Sequence, residues 1–158
     1  MSDVLHESKP SLEGFWRLRS FEQHRPEGVV YPYGRDAIGL IHYCGAGLMS
    51  VQIMAEAIAN SPRTDFNPDD EPLFEEEPAT SDLTALVEVF DSYLAYFGNY
   101  SVDWATKTVT HYVKGSNRPN FLNRRLVRAF EMDGTTLRLS PPMPRGFPTA
   151  LVWERVAG

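Results

Sequence analysis

The stretch Leu122-Asn123-Arg124-Arg125-Leu126-Val127-Arg128-Ala129-Phe130-Glu131-Met132-Asp133-Gly134-Thr135-Thr136-Leu137-Arg138-Leu139-Ser140 decides the fold. Two extended runs, 122–132 and 135–140, flank Asp133-Gly134, a dipeptide that marks a tight β-hairpin. The same grammar recurs upstream. Runs 38–44 and 48–55 are joined by Gly45-Ala46-Gly47, and runs 99–104 and 108–115 by Ala105-Thr106-Lys107. A first strand is read over 12–25, where Phe15, Arg17, Arg19 and Phe21 alternate with Trp16, Leu18 and Ser20. Residues 29–34 are extended and end in the turn Tyr31-Pro32-Tyr33-Gly34, with Pro32 fixing φ and Gly34 free to take positive φ. A short helical turn is allowed at 55–58, and 149–156 is the last strand.

One substantial helix is predicted over 81–97, between the third and fourth strands. Ser81 suits its N-cap, and Leu83, Leu86, Val87, Phe90, Tyr93, Leu94 and Phe97 recur at helical spacing before Gly98. Eight strands and one helix, in an order without βαβ alternation, point to a closed, mostly antiparallel β-barrel. Closure leaves no sheet edges, and an eight-stranded interior is either filled by side chains or holds one small ligand.

At 158 residues the chain is long enough for one domain with its own core, read as 12–158 behind a loose arm at 1–11. Its net charge of −6 is a local property. Asp65, Asp69, Asp70, Glu71, Glu75, Glu76 and Glu77 lie in one proline-rich stretch, 60–80, and without those seven acids the net charge is +1. No basic stripe suggests nucleic acid, and no apolar run is long enough to span a membrane. The beginning of the chain lacks the pattern of a secretory leader. Cys44 is the single cysteine, so no internal disulfide is possible and a reducing, cytoplasmic setting is expected. No cysteine and histidine spacing suggests a metal site.

Gly14-Phe15-Trp16 resembles the Gly-x-Trp motif of lipocalins, in which the Trp closes one end of the barrel beneath a basic side chain of the last strand; Arg155 is placed for that part. A longer series of segments is similar to the bacterial and fungal lipocalin-like domain family. It includes Tyr31-Pro32-Tyr33-Gly34, Gly39-Leu40-Ile41-His42-Tyr43, Tyr93-Leu94-Ala95-Tyr96-Phe97-Gly98-Asn99-Tyr100, Val109-Thr110-His111-Tyr112-Val113 and Leu151-Val152-Trp153-Glu154-Arg155. The resemblance covers nearly the whole chain apart from the arm and the acidic stretch. It implies a closed antiparallel eight-stranded lipocalin-like barrel with an internal cavity. Some members of the family sit among natural-product pathway genes. Leu48 departs from the pattern, which commonly has His there.

His111 lies between Val109 and Val113 on one strand face, so its ring points inward. It serves either as a neutral base or hydrogen-bond donor, or as a buried histidine satisfied by a neighbour. Arg128 shares a face with Leu126 and Phe130. Either it anchors a ligand oxygen, or it forms an ion pair with Glu154 or caps Trp16 in place of Arg155. The hydroxyl of Tyr96, like those of Tyr43 and Tyr100, either enters the cavity or sits at its rim. Gln52 either pairs with a ligand amide or carbonyl, or faces solvent. Trp153 and Asn120 complete the candidate ligand contacts, and Cys44 reads as an inert thiol.

Two functions follow from these residues. One is a cofactor-independent cyclase, isomerase or dehydratase of a hydrophobic natural-product intermediate, with His111, Arg128 and Tyr96 as its catalytic set. The other is a carrier or sensor of a small hydrophobic or aromatic ligand. A third and weaker reading is an interaction module with a filled core. No cofactor, nucleic acid or membrane is expected, and a homodimer is the default assembly.

Overall fold

A computed structural model describes residues 9–59, 83–142 and 146–157. The acidic stretch 60–80 therefore lies outside the described residues, as do Ser81 and Asp82. The strands are β1 (Gly14–Arg25), β2 (Gly28–Val30), β3 (Ile38–Tyr43), β4 (Leu48–Met54), β5 (Tyr93–Asp103), β6 (Thr108–Ser116), β7 (Arg125–Asp133), β8 (Thr136–Ser140) and β9 (Thr149–Arg155). Two short helices, α1 (Glu56–Ala59) and α2 (Leu83–Asp91), lie between β4 and β5.

All pairings are antiparallel. Each strand from β3 to β9 pairs with the next, β3 pairs with β1, and β9 returns to β1. Eight strands thus close into a barrel, and β2 is a ninth, short strand hairpinned onto the far end of β1. The β7–β8 hairpin turns on Gly134 and Thr135, with Asp133 paired to Thr136 and Gly134 at φ 49°. No described helix is long and apolar enough to cross a membrane.

The helix is shorter than its periodicity suggests. It ends at Asp91, and Tyr93, Leu94 and Phe97 belong to β5 rather than to an apolar helix face. Two causes act. Arg118 donates to the Asp91 carboxylate at 2.9 Å and to the Asp91 carbonyl at 2.8 Å, a cationic cap on the helix C-terminus. Beyond it, an aromatic-rich run suited to a strand pairs along β4 from Met54↔Tyr93 onward. The Asn117 side chain also accepts from Ala95 N and donates to Tyr93 O, both at 2.8 Å.

Two bulges set which residues face inward. In the β1–β9 ladder the register shifts between Leu18 and Ser20. Trp16 and Leu18 point in before it, and Phe21 and Gln23 line the interior after it. Phe21 therefore does not share the face of Phe15, as unbroken alternation would require. The second shift lies at Phe97 and Gly98 in the β5–β6 ladder. A Cβ on Gly98 would collide with the Tyr112 carbonyl oxygen, so only glycine permits that approach.

The two ends of the barrel differ. At one end Trp16 is fully buried, its Nε1 donates to Leu12 O at 2.8 Å, and Arg155 lies 4.1 Å above its ring. Arg155 also donates to Glu13 O at 2.6 Å and Ser11 O at 2.8 Å, so the chain before β1 is laced across that end. Leu12, Tyr43, Met49, Val109 and Leu137 fill the space behind this closure. The other end, beside α1, α2 and β2, is hollow.

Candidate functional site

The hollow half is a cavity of about 370 Å³, at the small end of the range for small-molecule sites. Ile41, Val51, Ile53, Leu94, Leu139 and Leu151 make its walls apolar. Arg128 is the one charged side chain among its described lining residues. Gln23 and Thr149, paired across β1 and β9, add polarity on the wall below the bulge.

A polar chain crosses the barrel to reach this cavity. Tyr43 Oη is hydrogen-bonded to His111 Nε2 at 2.7 Å, and Tyr96 Oη to His111 Nδ1 at 2.9 Å. The three residues stand on β3, β6 and β5. Tyr43 and His111 expose no surface, whereas Tyr96 keeps 7% and lines the cavity. His111 thus stands in the cavity wall with both ring nitrogens occupied. Its inward face follows from alternation with the buried Val109 and Val113.

Burial governs the titration of this chain. Desolvation foremost, and the charge of Arg128 second, push His111 from 6.5 down to about 3, so the imidazole is neutral. Burial also pushes the Tyr43 hydroxyl well above the ordinary phenol range. It raises Tyr96 too, while the charge of Arg128 pulls Tyr96 back. Both phenols keep their protons at neutral pH.

Arg128 is half-buried in the interior row of β7, between Leu126 and Phe130. Neither structural partner weighed for it is available. Glu154 pairs with Arg19 at 3.3 Å on the exterior, and Arg155 already caps Trp16. Among the described residues Arg128 has no carboxylate partner; it donates to Val127 O at 3.0 Å and faces Tyr96.

The remaining candidates scatter. Trp153 lines the cavity, and among the described residues its buried Nε1 finds no acceptor. Tyr43 is behind the cavity. Tyr100 packs edge-on against Tyr43 at 4.8 Å and donates to Cys44 O at 3.0 Å, away from the lining. Gln52 is exposed on the outer face because its strand neighbours Val51 and Ile53 point in. Asn120 is exposed on the 3₁₀ turn Pro119–Phe121, whose Phe121 reaches the cavity instead. Cys44 is a half-buried free thiol. Sequence reasoning did not find Phe21, Gln23, Phe121 or Thr149. Of these, Phe21 and Gln23 depend on a bulge that alternation does not register.

Among the described residues no group of His, Cys, Asp and Glu is placed to hold a metal ion. No curated protein matches the chain. A family model described as lipocalin-like domain matches residues 13–156. That fold generally binds small hydrophobic ligands, and an eight-stranded barrel with a hollow apolar half has the dimensions to do so. With the match running from the closed end of β1 through the last strand, and the Trp16–Arg155 closure in place, the chain belongs to the lipocalin-like domain family.

Proposed function

We propose that this protein is a cofactor-independent enzyme that binds a small hydrophobic, oxygen-bearing natural-product intermediate and promotes its cyclisation, isomerisation or dehydration. The observation that carries this reading is convergence. Tyr96, His111 and Arg128 come from three successive strands to line one largely apolar cavity. Apolar walls select a folded conformer of the substrate, and the polar groups polarise one of its oxygens.

The roles differ from those the sequence suggests. Both nitrogens of His111 are engaged and its ring exposes no surface, so Tyr96 and Arg128 touch the substrate and His111 acts through Tyr96. The same saturation of His111 favours a second reading, a carrier or sensor without turnover. A reducing cytoplasm suits the lone thiol of Cys44 in either case.

Native mass spectrometry of protein purified from its own host, followed by denaturation and identification of the released molecule, supplies the compound to assay. Loss of conversion in Tyr96→Phe and Arg128→Met far larger than their loss of binding is the result expected of an enzyme. Binding without conversion by the unaltered protein, under all conditions that support binding, assigns the carrier instead.

A further inference from the structure

The polar chain has a direction. A neutral imidazole carries one ring proton, so one nitrogen donates and the other accepts. Tyr43 settles which. Its hydroxyl is fully buried, and among the described residues its only partner is His111 Nε2. With the proton on Nε2, the Tyr43 oxygen would accept it and its own hydrogen would be left in the core with no acceptor, an arrangement that folded proteins avoid. With the proton on Nδ1, Tyr43 donates to Nε2 and Nδ1–H donates to the Tyr96 oxygen.

The second arrangement has a consequence at the cavity. The Tyr96 oxygen then accepts from His111, and its own hydrogen is released from the pair. The hydroxyl belongs to a residue that lines the cavity, next to Arg128. Arg128 has donors only and no carboxylate partner among the described residues. Tyr96 and Arg128 therefore present hydrogens and one positive charge, against apolar walls that offer the charge no counterpart.

We propose that the Tyr43–His111 pair is a positioning device that aims the Tyr96 hydroxyl, alongside the Arg128 guanidinium, at an anionic oxygen of the bound molecule, so that the site takes an apolar body bearing a carboxylate or enolate. The ligand half of this proposal rests on the reading of the cavity as the binding site; the device itself does not.

Two measurements separate them. Nitrogen-15 NMR of the ligand-free, full-length chain reads the ring proton of His111 directly. It is expected on Nδ1, and in Tyr43→Phe, where Nε2 loses its donor, the Nε2 resonance is expected to shift towards that of a free acceptor nitrogen while the proton stays on Nδ1 opposite Tyr96. A proton on Nε2 in the unaltered protein overturns the device, whatever binds.

Fluorescence titration with 2-naphthoate and with 2-methylnaphthalene reads the ligand class. The unaltered protein is expected to prefer the carboxylate by about tenfold or more, the scale of one charge-assisted hydrogen bond. Tyr96→Phe and Arg128→Met are each expected to remove most of that preference while leaving 2-methylnaphthalene within about twofold. Tyr43→Phe, which touches neither probe, is expected to reduce it in part. Equal binding of the two probes overturns the anionic-oxygen assignment. Binding of neither overturns the cavity reading and leaves the ring-proton result to stand on its own.

Discussion

The imidazole of His111 sits between two phenols at a depth where it stays neutral, and that sets the acid limb of stability. In the unfolded chain a histidine gains a proton as pH falls through its ordinary value of 6.5, whereas folded His111 waits until about 3. The folded state is therefore at full strength above 6.5 and loses stability between there and 3, by about 1.4 kcal/mol per pH unit, or about 2 kcal/mol at pH 5. Tyr43 and Tyr96 bound the other side: their raised pKa values mean that the unfolded phenols ionise first, so stability declines again above 10. Urea denaturation between pH 7 and pH 4 checks the acid limb. His111→Gln is expected to be less stable at pH 7 but flatter with pH by one proton; an unchanged slope would contradict the assignment. At this scale the sequence was informative where neighbours settle orientation. Val109 and Val113 turn His111 inward, whereas Gln52, a candidate ligand contact by sequence, is turned outward by Val51 and Ile53. It was silent on Tyr43 reaching His111, because those two residues are 68 positions apart and meet only across the closed barrel.

Gly98 is the element-scale counterpart. It marks the β5–β6 shift, where the Tyr112 carbonyl occupies the place of a Cβ, two residues beyond Tyr96. Gly98→Ala is expected to cost about 3 kcal/mol, because backbone rather than a flexible side chain must move. Gly134→Ala is the control. It carries a positive φ, which Gly98 does not, but its Cβ would meet nothing within 4 Å, so it should cost about 1 kcal/mol. Equal losses in chemical denaturation would show that the close approach at Gly98 carries no weight. Strand existence was legible throughout, since alternation and turn residues are local. Bulges were not: each inserts a residue into one strand to suit its partner, so the parity that hides Phe21 on paper changes only in the ladder. The helix shows the same limit. Residues 93–97 satisfy helical spacing and strand composition alike, and the decision between them is made by β4, Arg118 and Asn117.

For the molecule as a whole, the division into a packed half and a hollow half predicts linkage between occupancy and stability. A ligand present at a hundred times its dissociation constant adds about 2.7 kcal/mol. For a domain of this size that corresponds to about 5–10 °C in midpoint, readable in thermal scans with 2-naphthoate. Arg128→Met, weakened about tenfold, should roughly halve the shift at the same probe concentration. No shift at saturation would mean that the probe does not favour the folded barrel. The closed barrel was legible as a whole, because hairpin after hairpin leaves closure as the natural fate of the sheet. The hollow interior was legible only through the family resemblance and not in the residue pattern, since hollow and filled interiors use the same apolar alternation.

The seam between β1 and β9 has one more consequence, in the order of synthesis. Trp16 leaves the ribosome long before its partner Arg155. Until then β1 has only β2 and β3 beside it, and the wall formed by Leu151 and Trp153 does not exist. A nascent chain therefore has nothing to load, and the binding chamber comes into being in one late step, when the first strand is handed the last.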